Sequence, residues 1–418
     1  MKPVRFVPLS DISTPTPPAD ESARRWLNGW WFKRGDDSDQ PLVGSDAQRW
    51  VPPTREGVAI RDCDSIREGL ADTLRGWIND PAPQHPRQLF VWPPGCRRDP
   101  LIGWAAAVGH EVIHPPQGAA DDVGLDPMPG AASPTSRETI DRIGTDPDGG
   151  DAPVRRAESP SDPRGDGGGG AKPDAPIVVL PHLERWFTRC GNGFDELRTL
   201  LDRLALSRRR AVVGCSSWSW HFLRLNLGAG LVLPTPLTFK PFNTDRTAAW
   251  LRDAMEDQAG GYRFRSVTDG SAVFGDGEGD RAGDVLDGLN ARAMGVPWLA
   301  LDLFRRSLRR TPESNEELRE RFPETDTLWV DRFDEFKLRE DLRRPSMLVL
   351  HSLLVHNGLR RDALRTVLPG VPTGNLVASL VSDGFVEHCD GRLHVRPAAY
   401  PDVREALTDA GFPADDWH

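Results

Sequence analysis

Residues 88–100 read Gln88-Leu89-Phe90-Val91-Trp92-Pro93-Pro94-Gly95-Cys96-Arg97-Arg98-Asp99-Pro100. A short apolar run bounded by Pro and Gly is the pattern of a buried strand ending in a turn. Asp followed by Pro is a favourable N-cap and first-turn pair, so a helix is expected from 100 to 108 with Asp99 as its cap. The Pro-Pro-Gly tripeptide alone would suit any α/β protein with a proline turn. Its weight comes from the strand before it and the helix after it.

The same alternation continues on either side. Residues 111–114 form a further short strand, and Ile177-Val178-Val179-Leu180 is an unbroken apolar run typical of a parallel strand buried on both faces. Residues 194–206 are helical, with Leu197, Leu200, Leu201 and Leu204 on one stripe. Ala211-Val212-Val213-Gly214-Cys215 is another buried strand. Strands alternating with helices of this length predict an α/β fold with a parallel sheet.

Helices then dominate, at 244–257, 282–293 and 297–309. From 343 the pattern changes to helices at 346–356, 360–367 and 373–381. Two short strands follow, around the Asp390-Gly391 hairpin signal. Three helices and a hairpin are the layout of a winged helix. Before 88 stands an irregular lead-in carrying Trp26, Trp30, Trp31, Trp50 and Trp77, with an amphipathic helix at 65–79. Residues 117–172 are rich in Gly, Pro, Asp and Ser and are read as a disordered insertion, because they cannot bury enough surface to offset their ordering entropy. A second flexible insertion is expected at 275–283. The organisation expected is therefore a lead-in over 1–87, an α/β unit over 88–240, a helical lid over 241–342 and a winged helix over 343–418.

Composition narrows the function classes. The chain has 418 residues and a formal net charge of −10, which argues against broad nonspecific binding to nucleic acid. No apolar stretch approaches membrane-spanning length, and the start lacks a basic-then-apolar signal pattern, so a cytoplasmic protein is expected. Five scattered cysteines, Cys63, Cys96, Cys190, Cys215 and Cys389, form no CxxC pair, suit reduced thiols and suggest no metal site.

The order of features resembles AAA+ and related signalling P-loop ATPases, in the layout of archaeal replication-initiator ATPases: nucleotide unit, helical lid, winged helix. The resemblance implies a phosphate loop of the form GxxxxGK[ST] after the first strand. Here Trp92 stands at the first glycine and Gly95 survives. Arg97 stands at the second glycine, Arg98 replaces the lysine and Asp99 replaces the Ser/Thr that would hold magnesium. A carboxylate at Asp99 would occupy the helix N-terminus that phosphate needs. The resemblance also implies an acidic pair after the strand at 177–180, for metal and water. Pro181 and His182 stand there instead, and Glu184 is two residues late. Ser216 and Ser217 fall where a polar sensor is expected, although helix capping explains them as well. Trp298, in Gly295-Val296-Pro297-Trp298, replaces an arginine that would reach the γ-phosphate.

No catalytic residue is therefore assigned, and ATP is the one cofactor the resemblance suggests. The leading expectation is a pseudo-ATPase acting through protein partners as a scaffold or regulatory subunit. An ATP-binding switch without hydrolysis is one alternative. A winged-helix DNA-binding regulator is the other; its candidate recognition helix has no Lys or Arg, leaving Arg360, Arg361, Arg392 and Arg396 nearby for phosphate contacts.

Overall fold

The computed structural model describes residues 2–16, 62–80, 83–96, 99–115, 177–256, 262–267, 270–274, 284–309, 327–333 and 335–417. Both expected insertions, Arg97, Arg98 and the first four tryptophans of the lead-in lie outside these.

A six-stranded sheet forms the centre. Its strands are β1 (Phe6–Pro8), β2 (Arg87–Trp92), β3 (Glu111–Val112), β4 (Val178–Leu180), β5 (Ala211–Ser216) and β6 (Leu237–Phe239), in the order β1-β6-β2-β5-β4-β3. All neighbours run parallel except β1, which pairs antiparallel with β6 at one edge. Every residue of β5 is buried, as a central parallel strand requires. At Gly214 the packing leaves no room for a side chain, since a Cβ would stand 2.4 Å from the Pro181 carbonyl oxygen. That close approach brings the loop after β4 against β5.

Helices α1 (Asp62–Asn79), α2 (Pro100–Val108), α3 (Asp195–Leu206) and α4 (Ser217–Leu227) cover the sheet. Helix α2 starts at its Asp99 cap with Pro100 in the first turn. It stops at Gly109, whose left-handed φ of 75° lets its N–H reach the Ala105 carbonyl. The Leu197, Leu200, Leu201 and Leu204 stripe of α3 is buried.

Helices α5 (Thr244–Glu256), α6 (Asp284–Arg292) and α7 (Pro297–Ser307) follow β6, but this stretch is not purely helical. A second sheet joins β7 (Arg263–Ser266), β8 (Leu308–Arg309) and β9 (Thr327–Val330) in the order β7-β9-β8. The helix expected to run to 309 ends at Ser307, because Leu308 and Arg309 pair with Val330 and Trp329.

The C-terminal elements are α8 (Arg343–Val355), α9 (Arg361–Val367), α10 (Thr373–Ser382), the hairpin β10 (Val386–Cys389) and β11 (Arg392–Val395), and α11 (Tyr400–Asp409). Three helices and a hairpin are present as read; α11 and the buried segment after it were not foreseen. Trp417 is fully buried, its ring 5.3 Å from Phe239 of β6. Trp417 thus packs into the core beside the α/β sheet, and one apolar core runs through all these parts.

Candidate functional site

The carboxyl ends of β2, β4 and β5 converge, as strand ends of a parallel sheet do, and place three connections side by side. Trp92 and Ser216 are register partners in adjacent strands, and β4 flanks β5 on its other side. Into this crevice come the Pro93–Cys96 turn with Asp99, the loop carrying His182 and Glu184, and the start of α4.

Asp99 accepts a hydrogen bond from the Leu101 N–H at 2.7 Å, so its carboxylate caps α2. Its other oxygen lies 3.5 Å from His182 Nδ1, and the same nitrogen lies 3.4 Å from Glu184 Oε1. Glu184 is buried and fully engaged. It accepts from the Ser216 N–H at 3.2 Å and from the Asn357 side-chain amide at 3.0 Å. Burial pushes both carboxyls up, but the two respond differently. Asp99 is raised to about 6 despite the pull of His182 and the Leu101 N–H, and the nearby Glu184 charge adds to the rise. In Glu184 the burial effect is outweighed by hydrogen bonding and charge from His182 and by the Asn357 amide, so it stays below the usual carboxylate range. Burial and the Glu184 charge also push the Cys215 thiol well up, away from nucleophile chemistry.

Ser216 is the N-cap of α4. Its Oγ accepts from the Ser219 N–H at 3.3 Å and sits 2.6 Å from the Ser219 hydroxyl, which is bonded in turn to the Val355 carbonyl. Ser217 leaves the cluster and donates to buried Asp415, which also accepts from Tyr400 at 3.1 Å and Arg404 at 3.0 Å. Trp218 donates to the Tyr400 hydroxyl at 2.9 Å.

The loop after β2 is covered from two sides. Trp298 donates its indole N–H to the Pro94 carbonyl at 2.8 Å and packs edge-on against Phe239. Gly95 has a left-handed φ of 89°, and a Cβ on it would meet Pro397 at 3.2 Å and Trp298 at 3.4 Å. The space left among Trp92, Pro93, Cys96, Asp99, His182, Glu184, Ser216 and Asn357 is about 10 Å³, room for about one water molecule. Small-molecule sites usually enclose roughly 300–1,000 Å³.

Of the residues singled out in the sequence, Gly95, Asp99, His182, Glu184, Ser216 and Trp298 are brought together, and Ser217 faces the C-terminal segment instead. Asn357, Pro397, Tyr400 and Asp415 had no local signal, apart from the Asn357-Gly358 turn signature, because they arrive from distant parts of the chain. Among the described residues no group of His, Cys, Asp or Glu is placed to hold a metal ion. No described helix is long and apolar enough to cross a membrane.

No protein-family profile and no curated protein match the chain. Among solved structures, Cdc6p from Pyrobaculum aerophilum matches at 12% identity over 88% of this chain and 99% of that one, with a TM-score of 0.29. The Aeropyrum pernix Orc1 protein, solved in complex with DNA, matches at 15% identity over 88% and 97%, with a TM-score of 0.30. The Thermotoga maritima RuvB Holliday junction branch migration motor matches at 12% identity over 92% and 99%, with a TM-score of 0.30. Scores at this level carry no argument about activity. The strand order β6-β2-β5-β4-β3, with a turn and a capped helix after β2 and helices and a hairpin beyond, is an α/β fold on a largely parallel sheet, in the element order read from the sequence.

Proposed function

We propose that this chain is an AAA+-like fold turned to noncatalytic use, a scaffold or regulatory subunit that works through protein contacts. One observation carries the reading: the crevice where such a fold would hold a nucleotide is filled by the protein's own bonded side chains. The Asp99 carboxylate takes the helix N-terminus that phosphate would need, Trp298 and Pro397 cover the loop, and the remaining space admits about one water. Phosphoryl transfer depends on a metal ion and placed charge. Here His182 and Glu184 spend their polar atoms on Asp99, Ser216 and Asn357. Contacts from Asn357 and Pro397 tie the C-terminal elements to the same crevice, and Asp415 ties them to the start of α4 beside it, so the parts an ATPase would move are fastened together. A direct test is ATP turnover by the purified full chain with magnesium. The reading expects none above buffer. Turnover that disappears in Arg98→Ala would refute it.

A further inference from the structure

Away from the crevice, a second cluster of polar groups sits at the seam between α4, α8 and the loop before α3. Arg189 lies in that loop, mostly buried. Its Nη1 stands 3.3 Å from His351 Nδ1, and its guanidinium lies 5.8 Å from the centre of the Phe222 ring. Phe187 stacks on Phe222 at 5.8 Å and leans on His356 at 4.8 Å. Trp218 and Phe412 flank His351 at 5.9 and 5.1 Å. Among the described residues no carboxylate pairs with Arg189. His356 is 2% exposed, and both of its ring nitrogens are buried without a hydrogen-bond partner.

This arrangement is unusual energetically. A mostly buried guanidinium without a counter-ion is costly, and a neutral imidazole must carry a hydrogen on one nitrogen, so His356 holds a buried donor with nothing to accept it. The Phe222 ring offsets part of the Arg189 cost but supplies no negative charge. The His351 Nδ1 accepts from Arg189, but among the described residues the seam offers no anionic acceptor. We infer that Arg189, His351 and His356 form a recognition site for an oxyanion, the carboxylate or phosphate-type group of a binding partner.

The charged neighbours set the direction of its pH response. Burial is the main cause holding both histidines neutral, taking His351 down to about 4 and His356 to about 3. The Arg189 charge adds to this for both; for His356, His351 and Arg392 add more, and Glu184 opposes weakly. An anion against Arg189 would favour the imidazolium forms, so binding takes up protons and tightens as pH falls.

The experiment is side-chain NMR of the histidines in the full chain. Sodium sulfate and, separately, sodium acetate replace sodium chloride at constant ionic strength. Both anions remain charged across the range used near neutrality. The site predicts saturable shifts of the His351 and His356 signals with each anion that binds. Stronger binding of sulfate would identify a phosphate-type source, and stronger binding of acetate a carboxylate. Arg189→Gln should abolish the response. Arg189→Lys should keep a weakened one, because it retains the charge but loses the planar fork. Arg198→Gln, altering an exposed guanidinium over Phe194, should leave it intact. No saturation with either anion, or a response unchanged in a folded Arg189→Gln or Arg189→Lys protein, would overturn the assignment.

Discussion

Replacing Asp99 with asparagine tests whether a buried carboxylate blocks the crevice. Asparagine caps a helix as well as aspartate does, so the bond to the Leu101 N–H survives. What changes is the charge. The Asp99 carboxyl titrates near 6 in the folded chain against 3.8 for the free group. The folded state therefore holds the proton more tightly than the unfolded state between those values, and stability falls as pH rises through that window. Two pKa units and a little more correspond to about 3 kcal/mol in full, of which about 2.4 kcal/mol is lost by the native protein between pH 4 and pH 8. Asp99→Asn lacks this loss. Its stability relative to the native chain should rise by roughly that amount over the same window. Urea unfolding of both proteins at pH 4, 5, 6 and 8 measures the difference, and other titrating groups cancel to first order. Asp99→Ala should show the same pH trend, displaced downward by about 1 kcal/mol for the lost cap. A difference between native and Asn proteins that stays flat across pH would refute a buried, proton-hungry Asp99, and with it the blocked helix N-terminus.

Asp415→Ala removes the shared acceptor of Ser217, Tyr400 and Arg404 and should cost about 3–5 kcal/mol, seen as a lower urea midpoint and faster proteolytic removal of residues 412–417. Trp298→Ala gives up the bond to Pro94 and the Phe239 contact; it should cost about 3 kcal/mol by the same assay and yet confer no ATP binding, because Asp99 remains in place. His351 and His356 resist protonation in the folded state, so the unfolded chain binds more protons below 6.5. Stability should fall from that pH down through about 4 and then about 3, and His351→Gln should flatten this acid limb in urea titrations at pH 3 to 7.

The parallel core was legible because its signals are local. Apolar runs marked β2, β4 and β5, and Asp99-Pro100 marked the start of α2. The strands that sequence reading missed are short and depend on distant partners. β1 ends in a proline and is held by β6, more than two hundred residues away. β8 continues a helical pattern until Val330 and Trp329 claim Leu308 and Arg309, a tertiary contact overriding local propensity. The site divides the same way. Asp99 as a helix cap follows from two adjacent residues. That Glu184, two residues late for the expected acidic position, is the hub of the cluster depends on Asn357, which no pattern near Glu184 could announce.

The central claim, that the chain's own side chains close the nucleotide crevice, is tested most directly by calorimetric titration of the full chain with ATP and with ADP, each with and without magnesium. The closed crevice predicts no heat of binding up to millimolar nucleotide. Saturable binding at or below that concentration would contradict the account and show that the loop from Pro93 to Asp99 still cradles phosphate.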